Sequence, residues 1–232
     1  LHVWSTVRGL GLTSREIAEL ARFAENRFVG VACGIMDPLA SALGQAGHAL
    51  LVDTRTQDVE AIPMPDHWSL MVCDTGVSRA LAGSAYNERR VQVEQAAHVL
   101  GVATLRDATP SGVEGAASRL AEVLTRRARH VTTENERVHA LAAALKCADG
   151  DTVRHVMQAS HLSLRDDFEV SCPELDAMAA AAWEAPGCVG ARMVGAGFGG
   201  ACLAILETES EQRFQEHVAM AYFETTGLQG RL

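Results

Sequence analysis

Residues 189–206 read VGARMVGAGFGGACLAIL, and the glycine-rich centre of this stretch, Gly195 to Gly200, separates two apolar segments. Each segment predicts a short buried strand. Glycine lets a backbone adopt positive φ angles and approach a ligand closely, which suits the loop to ligand binding. The same freedom also suits a simple hairpin turn or close packing. The spacing fits neither the phosphate-binding loop that ends in Lys and Ser/Thr nor the strand-to-helix dinucleotide fingerprint.

Outward from this loop, helical and strand patterns alternate along the chain. Apolar runs predict strands at residues 48–53 and 68–74, and Pro63 and Pro65 between them mark a domain boundary. Helices are predicted at about residues 80–100 and 209–223, and a capping-box pattern at Thr13-Ser14-Arg15-Glu16 opens an earlier one. The pattern predicts an α/β or α+β fold in two lobes, residues 1–65 and 66–232.

Composition limits the kinds of partner. The chain has 20 basic and 29 acidic residues, a net charge of −9, which argues against nucleic acid or an anionic membrane surface as a partner. No apolar run approaches the ~18–20 residues of a membrane span. The six cysteines follow no metal-binding spacing and are interpreted as free thiols in a reducing cytosol, so we expect a cytoplasmic protein.

A few residues could carry chemistry. Asp37 stands in an otherwise apolar stretch, where a carboxylate is costly unless it is paired, catalytic or a helix cap. Glu25 is ordinarily a solvated charge near a helix end, and residues 86–90 are ordinarily an exposed helical face. Residues 161–167 combine His, Ser and Asp like a catalytic triad, but no nucleophile elbow precedes them, which disfavours a hydrolase.

Several segments, in this order, resemble the galactokinases, a family of the GHMP kinase superfamily. The resemblance covers about residues 12–227. Its two most specific segments are Cys33-Gly-Ile-Met-Asp37 and Ser160-His-Leu-Ser-Leu-Arg-Asp-Asp167. The remaining matching segments are 24–30, 47–53, 81–90, 134–137, 171–176 and 190–200.

The resemblance implies an ATP-dependent sugar kinase that forms α-galactose 1-phosphate from galactose. It implies that Asp37 is the catalytic carboxylate facing the anomeric hydroxyl, that Glu25 associates with Mg²⁺, and that Gly34 and Tyr86 line the sugar pocket. Gly195, Gly197, Gly199 and Gly200 correspond to the glycine motif that supports the phosphate-binding loop. The implied fold is the two-lobed α+β fold of GHMP kinases, with a split ferredoxin-like second lobe. We expect a monomer.

The chain also departs from the family pattern. Two motifs that lie upstream in the family, one for the sugar and one for the triphosphate, are absent, so we expect an incomplete N-terminal lobe, weak or absent ATP binding and an unpaired edge at residues 48–53. Pro38 and Val194 replace the usual glutamine and hydroxyl residue. Two alternatives remain: a galactokinase-like sensor of sugar and nucleotide without turnover, and another GHMP sugar kinase.

Overall fold

The computed structural model describes residues 1–29, 33–78 and 82–232. The chain divides into two compact units, Leu1–Pro65 and Asp66–Leu232. Each unit has buried apolar clusters of its own, and each is described separately below.

The first unit contains three α-helices and two strands among its described residues. Their bounds are α1 (His2–Arg8), α2 (Ser14–Ala24), α3 (Met36–Leu43), β1 (His48–Val52) and β2 (Val59–Pro63). The predicted capping box opens α2, since the Glu16 N–H donates to Thr13 Oγ1 and the Thr13 N–H donates to Glu16 Oε2. A π-helical turn, Glu25–Val29, continues α2.

The strands of this unit form a two-stranded antiparallel sheet, in a register that runs from His48 opposite Pro63 to Val52 opposite Val59. The prediction of an unpaired strand at residues 48–53 is therefore wrong for one edge, because β2 hydrogen-bonds to β1. The sequence pattern gave no sign of β2, since its short apolar run contains Glu60 and ends at a proline.

The core of the first unit is small. Ala18 of α2 packs with Ile35 and Leu39, which anchor the start of α3. Leu39 has no solvent-exposed surface and Ile35 only 5%. These two contacts fix the first turn of α3, which carries Asp37.

The second unit contains the remaining helices and strands of the described residues. Their bounds are β3 (Trp68–Asp74), α4 (Ala82–Leu100), α5 (Pro110–Gly115), α6 (Glu122–Cys147), α7 (Gly150–Asp166), α8 (Pro173–Glu184), β4 (Cys188–Met193), β5 (Ala201–Glu207) and α9 (Glu211–Thr226). Three short 3₁₀ turns lie at residues 105–107, 117–119 and 208–210.

The sheet of the second unit is antiparallel with the strand order β3-β5-β4, which agrees with the α+β expectation. Its main core lies between the sheet and helices α8 and α9, with side chains such as Leu175, Met178 and Phe214 fully buried. A second cluster lies between α4, α5 and α6. Because β4 ends at Met193 and β5 begins at Ala201, the glycine loop projects from one end of this sheet.

Candidate active site

Asp37 lies in the first turn of α3, where its carboxylate is exposed. It is not the cap of the helix: Ile35 occupies the cap position, and no side chain caps this end. Exposure also removes the desolvation cost that the sequence argument assigned to it. Asp37 is thus an accessible carboxylate in a fixed position.

Pro38 follows Asp37 at the third position of α3. The first turn of a helix has no intrahelical acceptors for its N–H groups, so a proline there removes no helical hydrogen bond. The departure from the family pattern at Pro38 therefore leaves both the helix and the Asp37 carboxylate intact.

Glu25 lies in the π-helical turn, where it interacts with the thiol of Cys33. The hydrogen bond between this thiol and the Glu25 carboxylate, followed by burial and the negative charge of Glu25, raises the pKa of Cys33. Asn26 accepts hydrogen bonds at its Oδ1 from the Cys33 N–H at 3.0 Å and from the thiol at 3.4 Å. These contacts place Glu25 beside the residues that lead into α3, and the protonated thiol acts as a hydrogen-bond donor.

Gly34 is exposed, and open space surrounds the position that a Cβ atom would occupy. No packing contact therefore explains a glycine at this position. Within the described part of the chain, no three His, Cys, Asp or Glu side chains come together as a metal site.

The glycine loop shows why Gly197 is a glycine. Its φ is +83°, and a Cβ atom there would collide with the Val170 carbonyl oxygen and lie 2.7 Å from Met193 Cε. The next residue, Phe198, donates its N–H to the same Val170 oxygen at 2.7 Å. Close packing thus accounts for this glycine, and Val170 fixes the middle of the loop.

The far end of the loop is held by the segment that follows β3. The Gly200 N–H donates to the Val77 carbonyl at 3.0 Å, and the Thr75 hydroxyl donates to the Gly200 carbonyl at 2.6 Å. Tyr222 in turn donates its hydroxyl to the Thr75 carbonyl at 2.9 Å. The loop is therefore anchored at both its middle and its end.

Tyr86 has its backbone in α4, and its side chain lies outside what the structure describes. The sequence pattern predicted an exposed helical face at residues 86–90. This prediction is wrong for Arg89, which lies one turn after Tyr86 on α4. Its side chain is only 12% exposed. Its Nε donates to the Phe168 carbonyl at 2.7 Å and its Nη2 to the Glu169 carbonyl at 3.0 Å.

The motif at residues 134–137 contributes a partly buried ion pair beside the sheet. Arg192, on β4, donates to Glu134 Oε1 at 2.7 Å and to the Ser160 hydroxyl at 2.7 Å. Burial would raise the pKa of Glu134, but Arg192, Ser160 and Arg137 together lower it below its ordinary value. The motif thus ties α6 and α7 to the strand that leads into the glycine loop.

His161 also binds this strand through a hydrogen bond to Met193, and its ring pairs with Asp176 rather than with a nucleophile. Its Nδ1 accepts the Met193 N–H at 3.1 Å, so its Nε2 carries the proton and donates to Asp176 Oδ1 at 3.1 Å. Burial lowers its pKa. The ring is neutral and fixed in one tautomer, which is a structural role.

Two clefts lie elsewhere on the described surface. One, of about 460 Å³, is lined by residues such as Trp68, Asp149 and Glu207 at the end of the sheet opposite the glycine loop. The other, of about 260 Å³, is lined by Arg22, Phe23, Asn26 and Arg27. Neither is lined by a predicted site residue. Among the described residues, no helix has the length and apolarity needed to cross a bilayer.

Family comparison agrees with the architecture of the second unit. The family model of the C-terminal region of GHMP kinases matches residues 140–222, from late α6 to α9. The structure of Leishmania major mevalonate kinase in complex with R-mevalonate covers 96% of this chain with a TM-score of 0.63 at 18% identity, which supports the fold alone. Residues 140–222 are therefore similar to the C-terminal region of GHMP kinases.

Over nearly its whole length, the chain is similar to galactokinases. The galactokinase of Roseiflexus sp. strain RS-1 is 41% identical over 97% of this chain, and that of Chloroflexus aurantiacus is 42% identical over the same share. The structure of Lactococcus lactis galactokinase complexed with galactose has a TM-score of 0.93 and 30% identity over 99% of this chain. The chain spans 59% of the length of these two curated relatives and 61% of the L. lactis chain. These matches confirm the predicted resemblance.

Proposed function

We propose that this protein is a galactokinase, which transfers the γ-phosphate of ATP to the anomeric hydroxyl of galactose and releases ADP. The observation that carries the proposal is its TM-score of 0.93 against a galactokinase complexed with galactose. Sequence identity above 40% to two curated galactokinases, over 97% of the chain, supports it independently. The retained carboxylates of Glu25 and Asp37 favour a working enzyme over a sensor without turnover.

In this proposal Asp37 is the catalytic base. Its carboxylate is exposed and lies in the first turn of α3, where it is accessible to a substrate. The carboxylate would accept the proton of the anomeric hydroxyl while the sugar oxygen attacks the γ-phosphate in line. Gly34 and Tyr86 are proposed to line the sugar pocket, as in the family.

The proposed nucleotide substrate is ATP, with Mg²⁺ as its counter-ion. Kinase sites commonly hold Mg²⁺ through one or two carboxylates together with substrate phosphates, and the single hard oxygen ligand Glu25 fits that pattern. When bound, the ion offsets negative charge on the phosphates. Gly195, Gly197, Gly199 and Gly200 are proposed to support the phosphate-binding loop by setting the backbone conformation of their segment.

We also propose that the protein works as a monomer in the cytoplasm. The six cysteines are free thiols in the structure, which fits a reducing compartment. Light scattering of the purified protein measures its mass directly, and a mass twice that of the chain would exclude a monomer.

The test is galactose-dependent ADP release. Because this chain spans 61% of the L. lactis enzyme, we would measure both the 232-residue protein and a chimera in which it replaces the matching part of that enzyme. We expect the chimera to release ADP with galactose and not with glucose. Asp37→Asn should lower the rate by about 10²–10⁴-fold with the circular dichroism spectrum unchanged, because proton transfer by a positioned base contributes that much.

Each other outcome has a defined meaning. If Asp37→Asn retained the rate within about tenfold, Asp37 would not be the base. If the folded chimera bound galactose without releasing ADP, the sensor alternative would replace the proposal. If it phosphorylated a different sugar in preference to galactose, the protein would be another GHMP sugar kinase.

A further inference from the structure

The segment between α7 and α8 has an unusual backbone. Glu169 has a φ of +54°, a left-handed conformation that residues other than glycine rarely adopt. Such a conformation persists only when the surrounding contacts enforce it, and it is found preferentially at functional sites. Directly after it, Val170 accepts the N–H of Phe198 in the glycine loop. The conformation of residues 167–170, the support turn, therefore determines where the loop is held.

Arginines from two helices enforce this turn. On α6, Arg127 is buried, donates to the Asp167 carbonyl and pairs with the Glu169 carboxylate. Arg126, also on α6, donates to the other oxygen of that carboxylate at 2.9 Å. From α4, Arg89 donates to the carbonyls of Phe168 and Glu169. Arg89 is thus the arginine that binds the main chain immediately before Val170.

The guanidinium of Arg89 is suited to this task. Its planar fork presents two parallel N–H groups to two successive carbonyls, which the single ammonium of a lysine cannot do. The side chain is largely shielded from water, so these bonds are not easily replaced by solvent. Arg89 Nη1 also lies 3.5 Å from Glu88 Oε2, and the Glu88 side chain is exposed.

Arg89 also lies three residues after Tyr86 on the same helix. Tyr86 is the residue of α4 that the proposed function assigns to the sugar pocket. The helix that carries a proposed sugar residue is therefore bonded through Arg89 to the turn that holds the glycine loop.

We propose that Arg89 is a positioning residue that fixes the glycine loop by way of the support turn, and so couples α4 to the nucleotide side of the reaction. The coupling to the reaction rests on the proposed function. The link from Arg89 to Phe198 does not, because it is a property of the folded chain alone.

The first test is amide hydrogen exchange of the 232-residue protein, resolved by NMR. Arg89→Met removes both donors, and we expect the Phe198 amide to exchange at least about tenfold faster, while the amides of β5 keep their protection. Arg89→Lys, which can supply one bond, should give an intermediate rate. The matched control is Arg90→Met on the same helix, where Arg90 pairs with Glu94 at an exposed site, and Phe198 exchange should not change.

Three results would overturn the proposal. Phe198 exchange could be unchanged in Arg89→Met, or it could rise equally in Arg90→Met. Protection could also fall throughout the second unit, β5 included, in both Arg89→Met and Arg89→Lys. In that last case Arg89 would be a general stabilising residue with no specific effect on the loop.

The second test uses the chimera, in which Arg89→Met should raise the KM for ATP about tenfold and leave the KM for galactose within about threefold. A wild-type chimera without turnover would contradict the proposed function and leave the exchange result to decide the role of Arg89. An active chimera whose KM for ATP is unchanged by Arg89→Met would contradict the coupling alone.

Discussion

Gly197 has no room for a side chain in the glycine loop. An alanine there combines an unfavourable positive φ with a collision against the Val170 carbonyl, which is backbone and cannot rotate away. Strain and overpacking each cost about 1–3 kcal/mol, so we expect Gly197→Ala to lower the free energy of unfolding by roughly 2–5 kcal/mol. Urea unfolding followed by circular dichroism measures the loss.

The control for this prediction is Gly101→Ala. Gly101 has a φ of +72°, close to that of Gly197, but a Cβ atom there meets nothing within 4 Å. Its substitution should show the backbone cost alone, about 1–2 kcal/mol. Equal losses for the two variants would mean that the loop moves away from Val170 at little cost, and would contradict close packing as the reason for Gly197.

His130 makes stability depend on pH. Burial lowers the pKa of His130 from 6.5 to about 4, and its Nδ1 lies 3.0 Å from the Ser163 hydroxyl, which itself donates to Asp167. His130 therefore becomes protonated near pH 6.5 in the unfolded chain but only near pH 4 in the folded chain. The stability that the neutral ring provides is complete above pH 6.5 and is lost as the pH falls toward 4.

From pH 7 to pH 5, His130 should account for a loss of about 2 kcal/mol in the free energy of unfolding, measured by urea titration at each pH. His130→Gln should remove that part of the pH dependence. His139→Gln is the control, because His139 lies exposed on the same helix. If wild type and His130→Gln lost stability equally over this range, His130 would not be responsible.

At the scale of secondary structure, elements with strong local signals were predicted correctly. Contiguous apolar runs gave β3 and the two strands around the glycine loop. Local hydrogen-bonding chemistry gave the start of α2, where Thr13 and Glu16 cap each other. In both cases the determining interactions lie within a few residues of each other in sequence.

Elements and contacts that depend on distant residues were missed. The sequence does not indicate β2, because only its pairing with β1 makes a strand of residues that include a charge and a proline. Arg89 was interpreted as exposed for the same reason: its partners lie 79 and 80 positions away. A signal was present in hindsight, since Arg89 belongs to a segment that resembles the family and follows Tyr86 by one turn.

The candidate site shows the same division. The residue types at Asp37 and Glu25 suggested chemistry only through the family resemblance, because each has a more ordinary explanation by itself. The structure adds local facts, such as the exposed carboxylate in the first turn of α3 and the thiol of Cys33 beside Glu25. The roles of both residues stay predictions, which Asp37→Asn tests for the first.

At the scale of the whole molecule, the two units differ in how much apolar surface they bury. The main core of the second unit includes fully buried side chains from its sheet and from α8 and α9. Among the described residues of the first unit, the buried apolar side chains are Ile17, Ala18, Ile35, Leu39 and Ile62. The first unit also exposes apolar side chains of α1, including Val3, Trp4 and Val7. Burial of apolar surface is the main stabilising contribution, so their stabilities should differ accordingly.

We therefore expect a polypeptide of residues 66–232 to fold alone and to unfold in one cooperative urea transition. Residues 1–65 alone should show a gradual, non-cooperative change, because so small a core offsets little of the chain entropy. Fluorescence follows each polypeptide without added labels, because residues 66–232 contain Trp68 and Trp183 and residues 1–65 contain Trp4. A cooperative transition for residues 1–65, or none for residues 66–232, would show that the buried clusters do not set the stability of the two units.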